Sequence, residues 1–147
     1  TLNTKKFIEL TENSNEGVIV ASPPVVIASL LEDSSPIKKI ALDYIKSYEE
    51  KYNEPVSTFG GYAYDALNLV VEGIKKANST DAKAIRDAIE SIQNYAGLNG
   101  IFHMTAEDHL GLDIDSSIKM LVIKNNDWAL AGNKMVELLQ YTFGGLT

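Results

Sequence analysis

Apolar residues recur at intervals of three and four between positions 36 and 53, and this spacing predicts an amphipathic α-helix. Ser35-Pro36 stands at its start, where a capping hydroxyl followed by proline is typical. Asn53-Glu54-Pro55 ends the pattern. The other helix face carries charged residues, so we expect one side to meet the core and the other to meet solvent. The predicted inner residues are Ile37, Ile40, Ala41, Tyr44, Ile45, Tyr48 and Tyr52.

Two further helices are predicted directly after this one. The first starts near Ser57 and runs to about Asn78, and the second starts at Thr80 or Asp81. In the first, the stripe expected to be buried consists of Phe59, Ala63, Ala66, Leu67, Val70, Val71 and Ile74. In the second, it consists of Ile85, Ala88, Ile89 and Ile92.

The segment before these helices predicts a short helix and a strand. Residues 4–11 fit a helix with Phe7 and Leu10 inward, and residues 18–21 form an apolar run bounded by turn residues. Because Pro23-Pro24 stops that strand, we expect residues 22–34 to form an irregular connection.

The segment after the helices changes character. Residues 100–104 predict a strand and residues 105–117 a polar loop. Residues 118–124 and 128–131 flank Asn125-Asn126-Asp127, which indicates a β-hairpin. Three consecutive helices between such strand pieces differ from the usual alternation of strands and helices in an α/β unit, which indicates that part of the fold is missing.

Composition and charge limit the classes of partner and chemistry that the chain can have. The 147 residues carry a formal net charge of −7, a balance that repels phosphate backbones, so nucleic acid is not an expected partner. Cysteine is absent, which excludes disulfides, thiolate nucleophiles and Cys-bound zinc. The longest apolar runs are far shorter than a bilayer span, and no signal peptide is recognisable.

Several segments, in order, resemble the type I periplasmic solute-binding proteins of branched-chain and other hydrophobic amino acid transporters. They begin with Glu16-Gly17-Val18-Ile19-Val20, the helix at 36–53 and the glycine- and aromatic-rich segment 57–67. They continue with Ser79-Thr80-Asp81, Gly97-Leu-Asn-Gly-Ile-Phe102, Glu107-Asp108-His109-Leu-Gly111 and a hairpin containing a tryptophan. The resemblance covers residues 1–131 and is carried by the order of the motifs rather than by any one of them.

The resemblance implies an α/β fold class and, within it, the C-terminal portion of a two-lobed fold, with helices, a partial sheet and a C-terminal β-hairpin. It also implies the substrate-binding component of an ABC importer at the periplasmic or extracellular face of the membrane. Its partners would be a small-molecule amino acid and a membrane permease, with no cofactor. We expect the chain by itself to bind solute weakly or not at all, and to self-associate because large exposed apolar patches are unstable in water.

Phe59 and Tyr62 are the candidate ligand-binding residues. In amino-acid-binding members of the family an aromatic residue at the position of Phe59 walls the side-chain pocket, and the phenol of Tyr62 suits a cleft rim. By periodicity alone, Phe59 would instead be a core residue. For Tyr64 we favour a half-buried structural role, because its neighbour Asp65 is expected to face solvent.

Residues 132–147 are predicted to form a separate C-terminal amphipathic segment. Met135, Leu138, Leu139, Phe143 and Leu146 fall on one helical face, and the segment from Met135 resembles the opening of a permease subunit. One interpretation is the start of a fused permease. The other is a C-terminal helix that packs on the core.

Catalysis and metal binding find little support. His103 and His109 lack the helical i, i+4 pairing of many zinc sites. Asp113 and Asp115 are not followed by the remaining oxygen ligands of a calcium-binding loop. We therefore favour a solvated loop with turn-forming acids. No Gly-x-Ser-x-Gly elbow or phosphate loop is present, and we expect a binding protein rather than an enzyme. The alternatives are a ligand-sensing domain of a receptor or regulator on the same scaffold, and an unrelated enzyme or interaction domain.

Overall fold

The computed structural model describes residues 5–131, which divide between two compact units. The first unit contains the chain up to Ser22 and again from Lys119 onward, and the second contains Pro23–Ile118. The polypeptide therefore passes from one unit to the other twice. Helices, a partial sheet and a hairpin are all present, as the predicted fold class requires.

The first unit contains an antiparallel sheet of three strands in the order β1-β4-β5, namely Ile19–Ser22, Lys119–Lys124 and Asp127–Leu130. Leu121 and Ile123, on the central strand, are fully buried. Asn125 and Asn126 form the hairpin turn with φ of 54° and 59°. Asparagine tolerates this left-handed conformation, which matches the twist of the two strands. The predicted hairpin is thereby confirmed.

Helix α1 (Lys5–Thr11) precedes this sheet and is followed by a 3-10 turn, Glu12–Asn15. The expectation that Leu10 faces inward is wrong, because Leu10 is 72% exposed while Ile8 is buried. Residues two positions apart in a helix, such as Ile8 and Leu10, are separated by about 200° around its axis, so they lie on nearly opposite faces. Asn15 is also buried, and its Nδ2 donates to the carbonyl of Ile8 at 3.1 Å.

The second unit opens with a 3-10 segment, Pro24–Leu30, where an irregular connection was expected. Its Val25 and Ala28 are buried, as are Ile37 and Ala41 on the adjoining helix α2 (Pro36–Tyr52). The segment is therefore part of the core of this unit. The double proline at the start of this segment ends β1 but is compatible with the helical turns that follow, because proline suits the first turn of a helix.

Helix α3 (Thr58–Ala77) forms within a residue of its predicted bounds. Helix α4 (Ala82–Ile89) starts within a residue or two of its predicted start but ends before Ile92, which was expected on its inner face. Ser57 caps α3 by accepting a hydrogen bond from the Gly60 amide, and Asp81 caps α4 by accepting from the Ala84 amide. Asn78 ends α3 in the left-handed conformation. Local capping hydrogen bonds thus define where both helices begin.

The face of α3 that is buried differs from the predicted stripe. The buried residues are Thr58, Gly61, Asp65 and Gly73, whereas Phe59 is 73% and Leu67 65% exposed. Small residues allow α3 to approach its neighbours closely, and that approach determines which side is covered. The apolar stripe remains a continuous exposed face.

The remaining elements of the second unit are short. They are β2 (Tyr95–Ala96), which was not predicted, β3 (Ile101–Phe102) and α5 (Ile114–Ser117), which lies inside the predicted polar loop. Ile92, Phe102 and Met104 form a buried cluster beside the antiparallel β2–β3 pair.

Among residues 5–131, no helix combines the length and the apolarity that a bilayer crossing requires. The amphipathic segment predicted at 132–147 lies outside the described residues.

Replacing Gly73 with alanine tests the α3–α4 contact. A Cβ atom at this position would lie 2.5 Å from Cγ1 of Ile89, so we expect Gly73→Ala to lower the free energy of unfolding by about 1–2 kcal/mol in spite of alanine's better helix propensity. Urea titration would measure the change. Glu50→Ala, on the exposed face of α2, should change it by less than about 0.5 kcal/mol. An unchanged or raised stability of Gly73→Ala would contradict the close contact.

Candidate functional site

The start of α3 is held closely against its neighbours in the second unit. Ser57 Oγ accepts from the Gly60 amide at 3.2 Å. A Cβ atom on Gly60 would lie 2.8 Å from the hydroxyl of Tyr44, and one on Gly61 would lie 3.0 Å from Asn99 Nδ2. The paired glycines therefore serve close packing on one side of the helix.

Phe59 and Tyr62 project from this packed helix start. Phe59 is 73% exposed and Tyr62 is 49% exposed. Since they are three residues apart in a helix, their side chains are neighbours on its surface. The structure thus brings both predicted site residues to one side of the first turns of α3. An exposed aromatic pair on a rigid helix offers an apolar surface with one hydroxyl, which could contact an aliphatic group.

Tyr64 belongs to a different group of side chains. The centroid of its ring lies 5.0 Å from that of Tyr44 on α2. The Tyr44 ring in turn lies 5.9 Å from the ring of Tyr48 on the same helix. Burial raises the pKa of Tyr44 above its usual value. Tyr64 therefore packs between helices, in agreement with the structural role favoured for it.

Asp65 is buried, contrary to the expectation that it faces solvent. Its Oδ1 accepts from the Leu98 amide at 2.7 Å. Its Oδ2 accepts from the Asn99 amide and from Asn99 Nδ2, both at 2.9 Å. Burial raises the pKa of this carboxyl group, while the three N–H donors act in the opposite direction. The carboxylate joins the middle of α3 to the loop at 97–100.

That loop is shaped to fit Asp65. The Gly97 amide donates to the Gly100 carbonyl at 2.9 Å, which closes the loop. A Cβ atom on Gly97 would lie 2.7 Å from Asp65 Oδ1, so a larger residue would displace the carboxylate. Asn99 in turn packs against Gly61. Asp65 therefore helps to position the helix start that carries Phe59 and Tyr62.

Periodicity analysis missed Asp65 because an acidic residue in an amphipathic helix is normally exposed. The sequence contained one indication that Asp65 is buried. Asp65 follows Gly61 by four residues, which places it on the same side of the helix as the small residue, away from the apolar stripe. The Gly97-x-x-Gly100 motif then supplies the turn that brings consecutive amides to one acceptor.

The histidines and loop acids are engaged in local contacts. His109 Nε2 lies 3.0 Å from Glu90 Oε1, and the Asn94 amide approaches His103 Nδ1 at 3.4 Å. Asp113 caps α5 by accepting from the Ser116 amide at 2.8 Å. Within residues 5–131, no three His, Asp or Glu side chains converge in a way that could hold a metal ion.

Residues 12–113 match a protein-family model described as periplasmic binding protein. Among solved structures, the chain is similar to an extracellular ligand-binding receptor from Rhodopseudomonas palustris HaA2, with 31% identity and a TM-score of 0.76. That alignment covers 88% of this chain and 38% of the receptor. No curated protein is significantly similar to the chain.

Two further structures share the fold. A periplasmic binding protein type 1 from Bordetella pertussis is 28% identical with a TM-score of 0.60, over 85% of this chain and 35% of that protein. A leucine-binding protein from Thermotoga maritima is 23% identical with a TM-score of 0.62, over 88% of this chain and 34% of that protein. The chain thus spans little more than a third of the length of these proteins.

Removing the Asp65 carboxylate tests its structural role. Asp65→Ala would leave two backbone amides and one side-chain amide without an acceptor, so we expect the free energy of unfolding to fall by about 2–4 kcal/mol. Chemical denaturation would measure it. The matched control is Asp43→Ala, which removes an exposed acid paired with Lys39 and should cost less than about 1 kcal/mol. Equal effects of the two variants would refute the role given to Asp65.

Proposed function

The chain belongs to the periplasmic binding protein family, and from this membership we propose that it is the substrate-binding component of an ABC importer for branched-chain or other hydrophobic amino acids. The family binds small molecules rather than transforming them, on the periplasmic or extracellular side of the membrane. The match over residues 12–113 carries the proposal, because it covers most of the described chain.

The exposed aromatic pair supports an apolar ligand. Phe59 and Tyr62 stand at the start of a helix whose opposite side is fixed by Gly61 and Asp65. A ligand's aliphatic side chain that covers Phe59 gains roughly 25 cal/mol for each Å² of apolar surface removed from water. The Tyr62 hydroxyl can donate or accept one hydrogen bond at the edge of such a contact.

The ligand class comes from the family resemblance of the sequence motifs, and the names of two similar proteins agree with it. One is the leucine-binding protein of Thermotoga maritima, and the other is described as a putative branched-chain amino acid ABC transporter from Rhodospirillum rubrum. Both are below 25% identity and so support the fold alone. Hydrophobic amino acids are therefore the first ligands to test.

Binding would operate by lobe closure. A solute that contacts two lobes at once has a higher affinity for the closed arrangement, and this difference shifts the population toward it. A permease that recognises the closed form would then receive the solute, without any bond being made or broken. Because the chain spans 38% of the length of its Rhodopseudomonas relative, we expect these 147 residues alone to bind weakly or not at all.

Calorimetry with leucine, valine and alanine tests the proposal on the longest natural reading frame that contains these residues. We expect leucine and valine to bind more tightly than alanine. Phe59→Ala should weaken leucine binding by about tenfold, since it removes roughly 1.4 kcal/mol of apolar contact.

The control for that experiment is Tyr52→Ala, because Tyr52 is 54% exposed at the far end of α2. This variant should bind leucine with unchanged affinity. Unchanged affinity in Phe59→Ala would remove Phe59 from the site, and the absence of binding to all three amino acids would refute the ligand class.

A further inference from the structure

The turn at residues 97–100 contains the dipeptide Asn99-Gly100, which is the only Asn-Gly pair in the chain. Asparagine is one of the chemically labile residues of proteins. Its side chain reacts most readily with the backbone when glycine follows it, because glycine has no Cβ atom to hinder approach to its nitrogen. The pair is therefore reactive wherever the asparagine side chain can turn toward that nitrogen.

The packing of the second unit requires both residues of this pair. A Cβ atom on Gly100 would lie 2.8 Å from Leu112 Cδ1 and 2.9 Å from Ser117 Cβ, and its φ of 154° is one that other residues rarely adopt. Asn99 supplies two of the three N–H groups that Asp65 accepts, one from its backbone and one from its side chain. Neither residue can be replaced without the loss of a buried contact.

The side chain of Asn99 is fixed in the folded unit. Asn99 is fully buried, and its Nδ2 donates to Asp65 Oδ2 at 2.9 Å. Because a carboxylate only accepts, this bond also determines which end of the carboxamide faces Asp65. The carboxamide is packed against α3 as well, since a Cβ atom on Gly61 would lie 3.0 Å from its Nδ2 and 3.3 Å from its Oδ1. To turn toward the Gly100 nitrogen, the side chain would have to break this bond inside a closely packed region.

We propose that Asn99-Gly100 is a site of spontaneous deamidation, and that the hydrogen bond to Asp65 keeps it unreactive while the second unit is folded. In the first step the Gly100 nitrogen attacks Asn99 Cγ. The new N–Cγ bond replaces the Cγ–Nδ2 bond, and Nδ2 leaves as ammonia with the proton that the Gly100 nitrogen gives up. Water then opens the resulting cyclic imide at either of its carbonyl carbons, which gives aspartate or isoaspartate at position 99.

The modified chain cannot form the original contact again. A carboxylate at position 99 would replace the Nδ2 donor, which lies 2.9 Å from Asp65 Oδ2. Two carboxylates at this separation repel each other strongly when both are ionised, and burial adds to the cost. Isoaspartate also lengthens the backbone by a methylene group. A transient opening of the second unit is thereby converted into a permanent change.

This inference is independent of the proposed function. It involves neither Phe59 nor Tyr62, and it holds for any ligand that the protein binds. Failure of the experiments below would therefore leave the proposed ligand class unaffected, and absence of amino acid binding would leave this inference unaffected.

Peptide mass spectrometry tests the site on the longest natural reading frame that contains these residues. The protein would be kept at mildly alkaline pH, folded or in concentrated guanidinium chloride, and the peptide that contains Asn99 followed over time. We expect the unfolded chain to lose ammonia there about tenfold faster or more, because only opening of the structure frees the side chain, and to yield both aspartate and isoaspartate. Absence of reaction in denaturant, or aspartate alone, would overturn the site. Equal rates in the two samples would overturn its protection by the fold.

Two glycine variants serve as matched controls for this rate. Gly61→Ala adds a Cβ atom against the Asn99 carboxamide, whereas Gly73→Ala makes the same change elsewhere on the buried side of α3. In folded samples, verified by circular dichroism, Gly61→Ala should deamidate about fivefold faster or more than Gly73→Ala, because it disturbs the carboxamide directly. Equal rates would show that only general destabilisation exposes Asn99, which contradicts the role given to the Asp65 contact.

The variant Asn99→Asp reproduces one product of the reaction. At neutral pH it should raise the equilibrium constant for unfolding by about tenfold or more, because it places a second carboxylate beside Asp65. Asn53→Asp, at the exposed end of α2, is the control and should change that constant by less than about threefold. Urea titration would measure both. An Asn99→Asp protein as stable as the unmodified one would refute the permanent loss of the contact.

Discussion

The hydrogen bonds between the Asp65 carboxylate and residues 98–99 are the constraint on which the second unit depends. Three N–H groups converge on one buried carboxylate, and their hydrogen bonds oppose, without cancelling, the cost of removing the charge from water. Two glycines, Gly61 and Gly97, leave room for this contact. Once it forms, the rotation of α3 about its own axis is fixed, and with it the side that the helix presents to the outside.

The exposed side of α3 follows from that rotation. Phe59 and Tyr62 project at its start, where a binding protein can use rigid aromatic side chains, and an apolar face continues toward its end. A binding residue must hold its orientation within narrow limits, and a helix fixed by a buried charge supplies that rigidity. An apolar surface of this extent is costly to expose to water.

Local sequence chemistry predicted the elements well where caps and turns define them. Ser35-Pro36, Ser57 and Asp81 mark helix starts, and the two asparagines at 125–126 mark the hairpin, all within a residue or two of the prediction. The hydroxyl of Ser35, however, makes no capping hydrogen bond, unlike the side chains of Ser57 and Asp81. The strand at 95–96 and the 3-10 segment after Pro23 were not predicted, because short elements depend on distant partners more than on local preference. Phe59 was singled out by the family resemblance and Tyr62 by the chemistry of its phenol group, whereas Asp65 was expected to face solvent.

The sequence alone determined where helices begin and end, the absence of thiol chemistry, the acidic surface and the family to which residues 12–113 belong. Each of these depends on residue identity and spacing along the chain. The tertiary structure decided that Asp65 is buried and that the apolar side of α3 is exposed. Periodicity identifies two faces of a helix but does not state which one packs. Which face packs is decided by contacts between residues more than thirty positions apart, such as Asp65 and Asn99.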